Sequence, residues 1–237
     1  MNNRQSESLG YLIAVTALTK DGDPSQVEDE ASLSMLGIYR GTEDQARGHL
    51  AELLKIGPPK WRWSKYGRFN ELNHEIFSVL PYTALSLRQA HKLEITGYVD
   101  TANPDWAGLI ELIGSGRTPN PGNLIGFEPY GGAIAAVSDG ETAFPHRRQK
   151  LNIKINSYWS DAWKYNHTRA SAQQWLDLVS AIISPALNGR TYVNYMREDI
   201  RDYRSAYWAQ NFEKLLEIKT KLDPGQLFRF EQSIRKR

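Results

Sequence analysis

Histidines and serines are the first side chains to examine for catalytic chemistry. The five histidines are His49, His74, His91, His146 and His167. A zinc enzyme holds such residues at fixed spacing, as in HExxH, and the serine of many hydrolases stands in a GxSxG turn. Neither pattern occurs in the sequence. The residues therefore disfavour hydrolase and metalloenzyme chemistry, and we predict no metal site.

Composition narrows the class of protein further. The 237 residues include no cysteine, which excludes disulfides, thiolate zinc sites, cysteine nucleophiles and a flavin attached through sulfur. A formal charge of +2, from 29 basic and 27 acidic residues, gives no electrostatic basis for binding nucleic acid or a membrane. The longest apolar run, 11–18, is too short to span a bilayer, and the start of the chain is polar. We predict a cytoplasmic protein, and we interpret the basic end, Arg235-Lys236-Arg237, as a frayed, solvated tail.

Hydrophobic periodicity predicts a sheet with helices. Strands are predicted at 10–18, 31–39, 94–99, 124–128 and from 151 onward, where apolar residues at 151, 153 and 155 alternate with polar ones and indicate one buried face. Helices are predicted after Thr42, an N-cap with Gln45 three residues on, and at 105–113, 171–183 and 211–221, with Leu178 and Leu222 turned inward. The expected fold class is α+β, a mixed, mainly antiparallel β-sheet covered by α-helices.

Domain organisation is expected to be simple. The chain has no internal repeat and no composition break typical of a linker, so we predict one domain over residues 1–237, with residues 1–9 disordered. The aromatic-rich stretch 58–92 has no clean period; its side chains fill the core, cover an interface or line a pocket.

Short motifs in order along the chain carry a family resemblance. They are Phe127-Glu128-Pro129-Tyr130-Gly131-Gly132, Phe144-Pro145-His146-Arg147, Tyr192-Val193-Asn194-Tyr195, Tyr207-Trp208-Ala209-Gln210-Asn211, Leu222-Asp223-Pro224 and Gln232-Ser233-Ile234. In this order and spacing the chain resembles the C-terminal, substrate-binding half of berberine-bridge-type FAD-linked oxidoreductases, from about residue 122 to the end and back to Gly10. Three departures are Ala209, where the family usually has glycine, Lys214 for arginine and Leu222 for an aromatic residue. The family's N-terminal flavin-binding domain has no counterpart in the sequence.

The resemblance implies candidate site residues. In the family a tyrosine or carboxylate of this half takes a proton while hydride leaves for the flavin. The resemblance assigns that role first to Tyr192, with Tyr195 as the fallback and Glu128 or Tyr130 as the second polar partner. The residues expected to face substrate or flavin are Asn194, which would orient it, His146 and Arg147.

A tyrosine base requires a nearby cation, because its pKa must fall from about 10. Arg147 or Arg197 is the expected source of that charge. Structural roles for these residues remain as alternatives. The tyrosines of a strand around residue 192 would pack and hydrogen-bond, Glu128 would hydrogen-bond the following glycine turn, and His146 would be a buried hydrogen-bonding group.

Three functional hypotheses follow. FAD is the cofactor implied by the family, but neither GxGxxG nor a P-loop occurs, so we expect no FAD binding and no redox activity by this chain alone. The first hypothesis is a split subunit that pairs with a separate flavin-binding chain to oxidise a small alcohol, sugar or natural-product intermediate; it predicts a large apolar surface on the exposed sheet. The second is a cofactor-free small-molecule binder, cyclase or isomerase that forms a homo-oligomer. The third is a gene fragment without independent activity.

Overall fold

The computed structural model describes residues 9–19, 27–57, 59, 63–72, 91–99, 104–114, 122–160 and 168–236. Its strands are β1 (Leu9–Thr19), β2 (Val27–Tyr39), β3 (His91–Tyr98), β4 (Asn123–Pro129) and β5 (Leu151–Trp159). They form one sheet in the order β2-β1-β4-β5-β3, and each pairing is antiparallel. The predicted α+β class is confirmed. Most of the aromatic-rich stretch 58–92 lies outside the described residues.

The helices are α1 (Glu43–Leu54), α2 (Trp106–Gly114), α3 (Gly132–Ala136), α4 (Arg169–Ile183) and α5 (Phe212–Leu222). Helix α1 begins at the predicted capping box, in which the Thr42 hydroxyl accepts from the Gln45 amide and the Gln45 side chain accepts from the Thr42 amide. Helix α4 is followed by a 3₁₀ turn, Ser184–Ala186, that contains Pro185. No helix within the described ranges is long and apolar enough to cross a membrane.

One face of the sheet, which we call the helix-covered face, holds the apolar core. The alternating residues of β5 place Ile153 and Ile155 on this face, where they pack with Ile125 against Val179 and Ile183 of α4. These side chains are nearly inaccessible to solvent, and burying each one stabilises the fold by about 1.5–3 kcal/mol. The predicted alternation is therefore confirmed on this face.

Two helix residues whose side chains were expected to face the core are exposed. Leu178 of α4 is 36% exposed, and Leu222 at the end of α5 is 76% exposed. Both predictions were wrong because a hydrophobic face wider than the contact area leaves its flanking residues in solvent. Helix α4 contacts the sheet through buried side chains that include Trp175 and Val179.

The segment 187–236 covers the opposite face of β3 and β5. Its backbone is tied to β3 through the Tyr98 amide, which donates to the Arg190 carbonyl at 3.2 Å, and through the Asn188 amide, which donates to the Tyr98 carbonyl at 3.1 Å. Residues 192–195 form a turn closed by the bond from the Tyr195 amide to the Tyr192 carbonyl, at 2.9 Å. The predicted strand at this position is wrong.

A strained residue lies in the same segment. The π-helix Arg204–Trp208 ends at Ala209, which has φ 44° and ψ −128°. This backbone conformation favours glycine because a Cβ crowds the neighbouring peptide. The alanine thus stands, in a conformation that favours glycine, at a position where the resemblance usually has glycine.

The end of the chain is anchored at Gln232 and Ser233. The Gln232 side chain donates to the carbonyls of Arg197, at 2.7 Å, and Ile200, at 3.1 Å. The Tyr203 hydroxyl donates to the Ser233 carbonyl at 3.0 Å. Beyond Gln232 and Ser233 the side chains of Arg235 and Lys236 are exposed, as expected of a solvated end, and the fraying of this end stays a prediction.

Candidate active site

Polar side chains occupy the sheet face opposite the helix-covered face. Residues paired across antiparallel strands point to the same side, and the register pairs Thr96 with Lys154, Tyr98 with Asn152, and Asn152 with Glu128. We call this surface the polar face. Its members on the three strands are Glu94, Thr96, Tyr98, Glu128, Asn152, Lys154, Asn156 and Tyr158.

The polar face is buried, contrary to the expectation of one buried face for β5. Asn152 and Asn156 are 0% and 1% exposed, and Thr96 is 2% exposed. Buried amides and hydroxyls are costly unless they are hydrogen-bonded, so a network of specific bonds is required here. That network converges on Glu128.

Glu128 accepts two hydrogen bonds. The Tyr195 hydroxyl donates to its Oε1 at 2.7 Å, and the Asn152 amide donates to its Oε2 at 2.8 Å. The Oδ1 of Asn152 in turn accepts from the Thr96 hydroxyl at 3.0 Å. The carboxylate is thus held in one orientation, with one of its partners a hydroxyl that can give up a proton.

Tyr195 reaches the polar face through the turn at 192–195. The Nζ of Lys154 lies 4.4 Å from the centre of its ring, close enough for a cation–π contact. Burial, followed by the hydrogen bond from its hydroxyl to the Glu128 carboxylate, raises the pKa of Tyr195 well above its usual value. The resting residue is therefore a neutral phenol that donates to a carboxylate.

Two further tyrosines form a wall beside Glu128. The Tyr98 hydroxyl donates to the Tyr130 hydroxyl at 3.2 Å, and their rings meet edge to face at 5.2 Å. Burial raises the pKa of Tyr130 to about 12. Tyr130 is followed by Gly131 and Gly132, which have φ of 139° and 48°, so only glycine fits this turn without strain.

Tyr192 lies next to Tyr195 but has a different partner. Its ring meets the Tyr195 ring edge to face at 5.3 Å and the Phe144 ring at 5.7 Å. Its hydroxyl accepts from the side-chain amide of Asn194 at 2.7 Å. The structure brings Tyr195, the fallback candidate, to the Glu128 carboxylate, whereas the Tyr192 hydroxyl is hydrogen-bonded to the exposed Asn194.

His146 lies beneath this wall of aromatic rings. It is 1% exposed, and its ring lies 5.0 Å from Tyr98 and 5.7 Å from Phe144. Burial lowers the pKa of His146 to about 4, so the ring is neutral at pH 7. Backbone groups of Thr191 and Ala206 lie near the ring, but neither of its nitrogens has a hydrogen-bond partner of normal geometry within the described residues. Its position indicates packing rather than contact with a substrate.

The two arginines expected to assist a tyrosine base are engaged elsewhere. Arg147 donates to the Thr142 hydroxyl at 2.6 Å and lies over the Phe144 ring at 4.9 Å. Arg197 forms an ion pair with Asp199 and donates to a backbone carbonyl of β3.

Lys154 is the cation that sequence reasoning missed. The alternation along β5 already placed Lys154 between Asn152 and Asn156 on one face. What the alternation does not show is that this face is buried and that a distant tyrosine, Tyr195, packs against the lysine.

A second carboxylate on the polar face differs in its partners. Glu94, whose side chain is 8% exposed, accepts from Lys92 at 3.0 Å. With its amide oriented to satisfy both neighbours, Asn156 donates to Glu94 at 2.7 Å and accepts from the Tyr158 hydroxyl at 3.1 Å. Neither direct partner of Glu94 is a hydroxyl. Glu94 therefore lacks the hydroxyl partner from which Glu128 can take a proton.

Comparison with known proteins agrees with the motif resemblance. Residues 191–235 match the family model described as "Berberine and berberine like". The chain thus contains a berberine-like segment. It is 35% identical over 121 residues to the monolignol oxidoreductase AtBBE-like 13 of Arabidopsis thaliana and 35% identical over 108 residues to the uncharacterized FAD-linked oxidoreductase YvdP of Bacillus subtilis. Each alignment covers 46% of this chain, and they cover 22% and 23% of the relatives.

The fold is similar to that of solved berberine bridge enzymes. The enzyme from Eschscholzia californica superposes with a TM-score of 0.71 at 18% identity, over 98% of this chain and 49% of that chain. BBE-like 28 of Arabidopsis thaliana superposes with a TM-score of 0.70 at 21% identity, over 98% and 51%. The predicted resemblance is confirmed, and the chain spans about half the length of the solved structures that it matches. The berberine-like segment supplies Tyr192, Asn194 and Tyr195 to the site.

The donor set of the polar face suits a flavin ring better than a metal. No cluster of three or more metal-ligating side chains occurs in the part of the chain that the structure describes. Lys154 carries a cationic donor of the kind that would bind ring carbonyls and nitrogens, and Ala14 and Gly126, paired across β1 and β4 in the same row as Lys154, have no bulky side chain. These residues fit the ring of the cofactor implied by the berberine-like segment.

Proposed function

We propose that this chain forms the substrate-binding part of a FAD-linked oxidoreductase, completed by a flavin-binding domain in trans. The substrate is a small molecule with an oxidisable hydroxyl group, such as an alcohol, a sugar or a natural-product intermediate. Support comes from the relatives, which include FAD-linked and berberine-bridge-type oxidoreductases, and from the site described above.

The hydrogen bond of 2.7 Å from the Tyr195 hydroxyl to Glu128 is the observation that carries the proposal. Oxidation of an alcohol to a carbonyl removes a hydride from carbon and a proton from oxygen. A phenol already bonded to a carboxylate can accept the substrate proton while it passes its own proton to that carboxylate. Tyr195 and Glu128 therefore form a proton relay of two groups.

The raised pKa of Tyr195 favours this relay over a free phenolate base. A phenolate adjacent to Glu128 places two negative charges within hydrogen-bond distance, which is unfavourable in a buried site. A transfer in which both protons move together never forms that pair of charges. Lys154, at 4.4 Å from the ring centre, stabilises the phenolate character that develops during the transfer.

The cofactor supplies one part of this chemistry. A flavin, when bound, would supply the acceptor for the hydride of the substrate carbon. Residues of this chain orient the substrate hydroxyl toward Tyr195 Oη, and Tyr98 and Tyr130 exclude water from Glu128 on one side. Lys154 would hold the ring.

Exposed apolar residues support a partner for the chain. Met35 of β2 is aligned with Ile13, and Ile13 with Phe127, so Met35 continues the helix-covered face toward the sheet edge. Met35 is 39% exposed, and Leu33, two residues before it on the same strand, is 73% exposed. A flavin-binding domain that covers this edge would remove apolar area from water.

Size-exclusion chromatography with FAD tests the proposal. The purified chain is run with FAD alone and then with FAD and a flavin-binding domain encoded beside it, and flavin absorbance is followed across the elution. We expect flavin to co-elute with this chain only in the mixture, and alcohol oxidation to appear in those fractions. A colourless, self-associated protein that ignores both additions would instead support a cofactor-free binder or isomerase.

Variants separate the chemistry from assembly. Tyr195→Phe removes the proton relay and leaves the ring against Lys154, so oxidation should be lost while co-elution of the flavin persists. Tyr192→Phe is the matched control, since its hydroxyl bonds only the exposed Asn194 among the described contacts. Equal losses in the two variants would contradict the role given to Tyr195.

A further inference from the structure

A basic pocket lies outside the polar face. It has a volume of about 390 Å³ and is formed where the start of the π-helix region meets the end of the chain. Its lining residues are Arg201, Asp202, Tyr203, Arg204, Arg235 and Lys236. Four cationic side chains thus surround one carboxylate.

The pocket is held together by contacts between the two segments. Arg204 donates to the carbonyl of Arg235 at 2.7 Å, and its guanidinium lies 4.7 Å from the centre of the Phe212 ring. The Tyr203 hydroxyl donates to the carbonyl of Ser233 at 3.0 Å. These bonds place Arg235 and Lys236 beside the arginines of the other segment, so the cations are gathered by the fold.

The positive charge of the pocket is not neutralised by ion pairs. Within the described part of the chain, no carboxylate lies in an ion pair with Arg201, Arg204, Arg235 or Lys236, unlike Lys214, which pairs with Glu217 at 3.1 Å. Cations brought together without counter-charges repel one another, and a bound anion relieves that repulsion.

We infer that this pocket binds a phosphate group of a small molecule. Guanidinium groups present planar forks of N–H donors that match phosphate oxygens, and a phosphate monoester carries nearly two negative charges, more than a carboxylate does. The excess of cations in the pocket matches that charge. The site uses none of the polar-face residues and stands whether or not the oxidoreductase proposal holds.

Isothermal titration calorimetry of the full chain at low ionic strength tests the site. The titrants are inorganic phosphate, pyrophosphate and methyl phosphate, with chloride at equal ionic strength as the blank. We expect saturable binding of one equivalent, tighter for pyrophosphate and weaker as salt is added. If methyl phosphate binds as tightly as inorganic phosphate, the ligand is a phosphate ester. If inorganic phosphate alone binds, the ligand is the free ion. Either result supports a phosphate site.

Two exposed residues allow a clean variant. Neither Arg201 nor Lys236 makes a side-chain hydrogen bond or ion pair among the described contacts, so the double change Arg201→Gln and Lys236→Gln should leave the melting temperature unchanged. Loss of two charged donors should weaken phosphate binding by about tenfold or more. Arg169→Gln, at the start of α4, is the matched control and should bind as the parent does. No saturable binding by the parent, or parent-like binding by the double variant, would overturn the inference.

Discussion

At β3, β4 and β5 both faces of the sheet are covered, but they are filled by different chemistry. On the helix-covered face, Ile125, Ile153 and Ile155 pack against regular helices, and their stabilisation comes from apolar area alone. On the polar face, Asn152 and Glu128 lie under an irregular segment and depend on directed hydrogen bonds. A sheet with one apolar and one polar buried face separates the part that stabilises the fold from the part that can do chemistry.

The cost of a change should therefore differ between the faces. Removing methyl groups from the helix-covered face creates a cavity and lowers the free energy of unfolding. Removing an acidic proton acceptor from the polar face, with its shape preserved, changes proton transfer and leaves packing intact. Four substitutions test this contrast.

Glu128→Gln should have the largest effect. Glutamine keeps the hydrogen bond from Tyr195 but cannot accept its proton, so kcat of the reconstituted oxidase should fall by about 10²–10⁴-fold. Glu94→Gln is the matched control on the same face, because Lys92 and Asn156, and no hydroxyl, are its direct partners. Steady-state kinetics at pH 7 compares the two. A similar loss in both variants would remove the distinction between the two carboxylates.

Ile155→Ala should act on stability and not on chemistry. Ile155 is 0% exposed at the centre of the helix-covered face, and its truncation should lower the free energy of unfolding by about 3 kcal/mol through lost burial and a residual cavity. Ile155→Val, which removes one methylene group, should cost only about 1 kcal/mol. Urea titration followed by circular dichroism measures both. If alanine and valine cost the same, the core at this position is less closely packed than the structure shows.

The helix-covered face was predictable and the polar face was not, for physical reasons. Alternation along β5 reports which side chains share a face, and the Thr42 capping box reports where α1 starts; both signals are local. Tyr192, Val193 and Tyr195 have strand propensity, but the segment forms a turn in which the Tyr195 hydroxyl bonds Glu128, 67 positions away in sequence. The strand propensity of a short segment gives no information about a hydrogen-bond partner so distant in the sequence.

The candidate site was partly anticipated through the motifs. Glu128, Tyr130 and Tyr195 meet beside the polar face, whereas Arg147 contacts Thr142 and Phe144. The contribution of Lys154 needed the cross-strand register, which sequence periodicity alone does not provide.

His146 gives a pH test of the region behind the polar face. Its pKa is lowered by burial from about 6.5 to about 4, so protonation is favoured in the unfolded chain, and its stabilising contribution is present above pH 6.5 and lost as pH falls toward 4. That contribution amounts to about 3 kcal/mol between pH 7 and pH 4. In His146→Leu the free energy of unfolding should fall less over this range than in the parent.

The control for this pH test is an exposed histidine at the start of β3. His91→Gln should reproduce the pH dependence of the parent, because the side chain at 91 lies at the surface. Urea titrations at pH 4, 5, 6 and 7 provide the comparison. Parallel curves for the parent and His146→Leu would mean that the imidazole is not desolvated as its burial indicates.

Ala209→Gly should have the smallest effect, and a stabilising one. Alanine at φ 44° and ψ −128° costs about 1–3 kcal/mol of strain, whereas glycine costs about 0.5–1 kcal/mol through the greater entropy of the unfolded chain. The net gain of about 1 kcal/mol corresponds to a rise in melting temperature of about 2–4 °C for a chain of this size. Ala206→Gly, at a buried position inside the π-helix, is the matched control and should lower the melting temperature. Ala209 lies in the segment that covers the polar face. A rise in melting temperature for Ala209→Gly alone would show that this segment is held in a strained conformation, which the helices over the opposite face do not require. An unchanged melting temperature would mean that neither covering segment is strained.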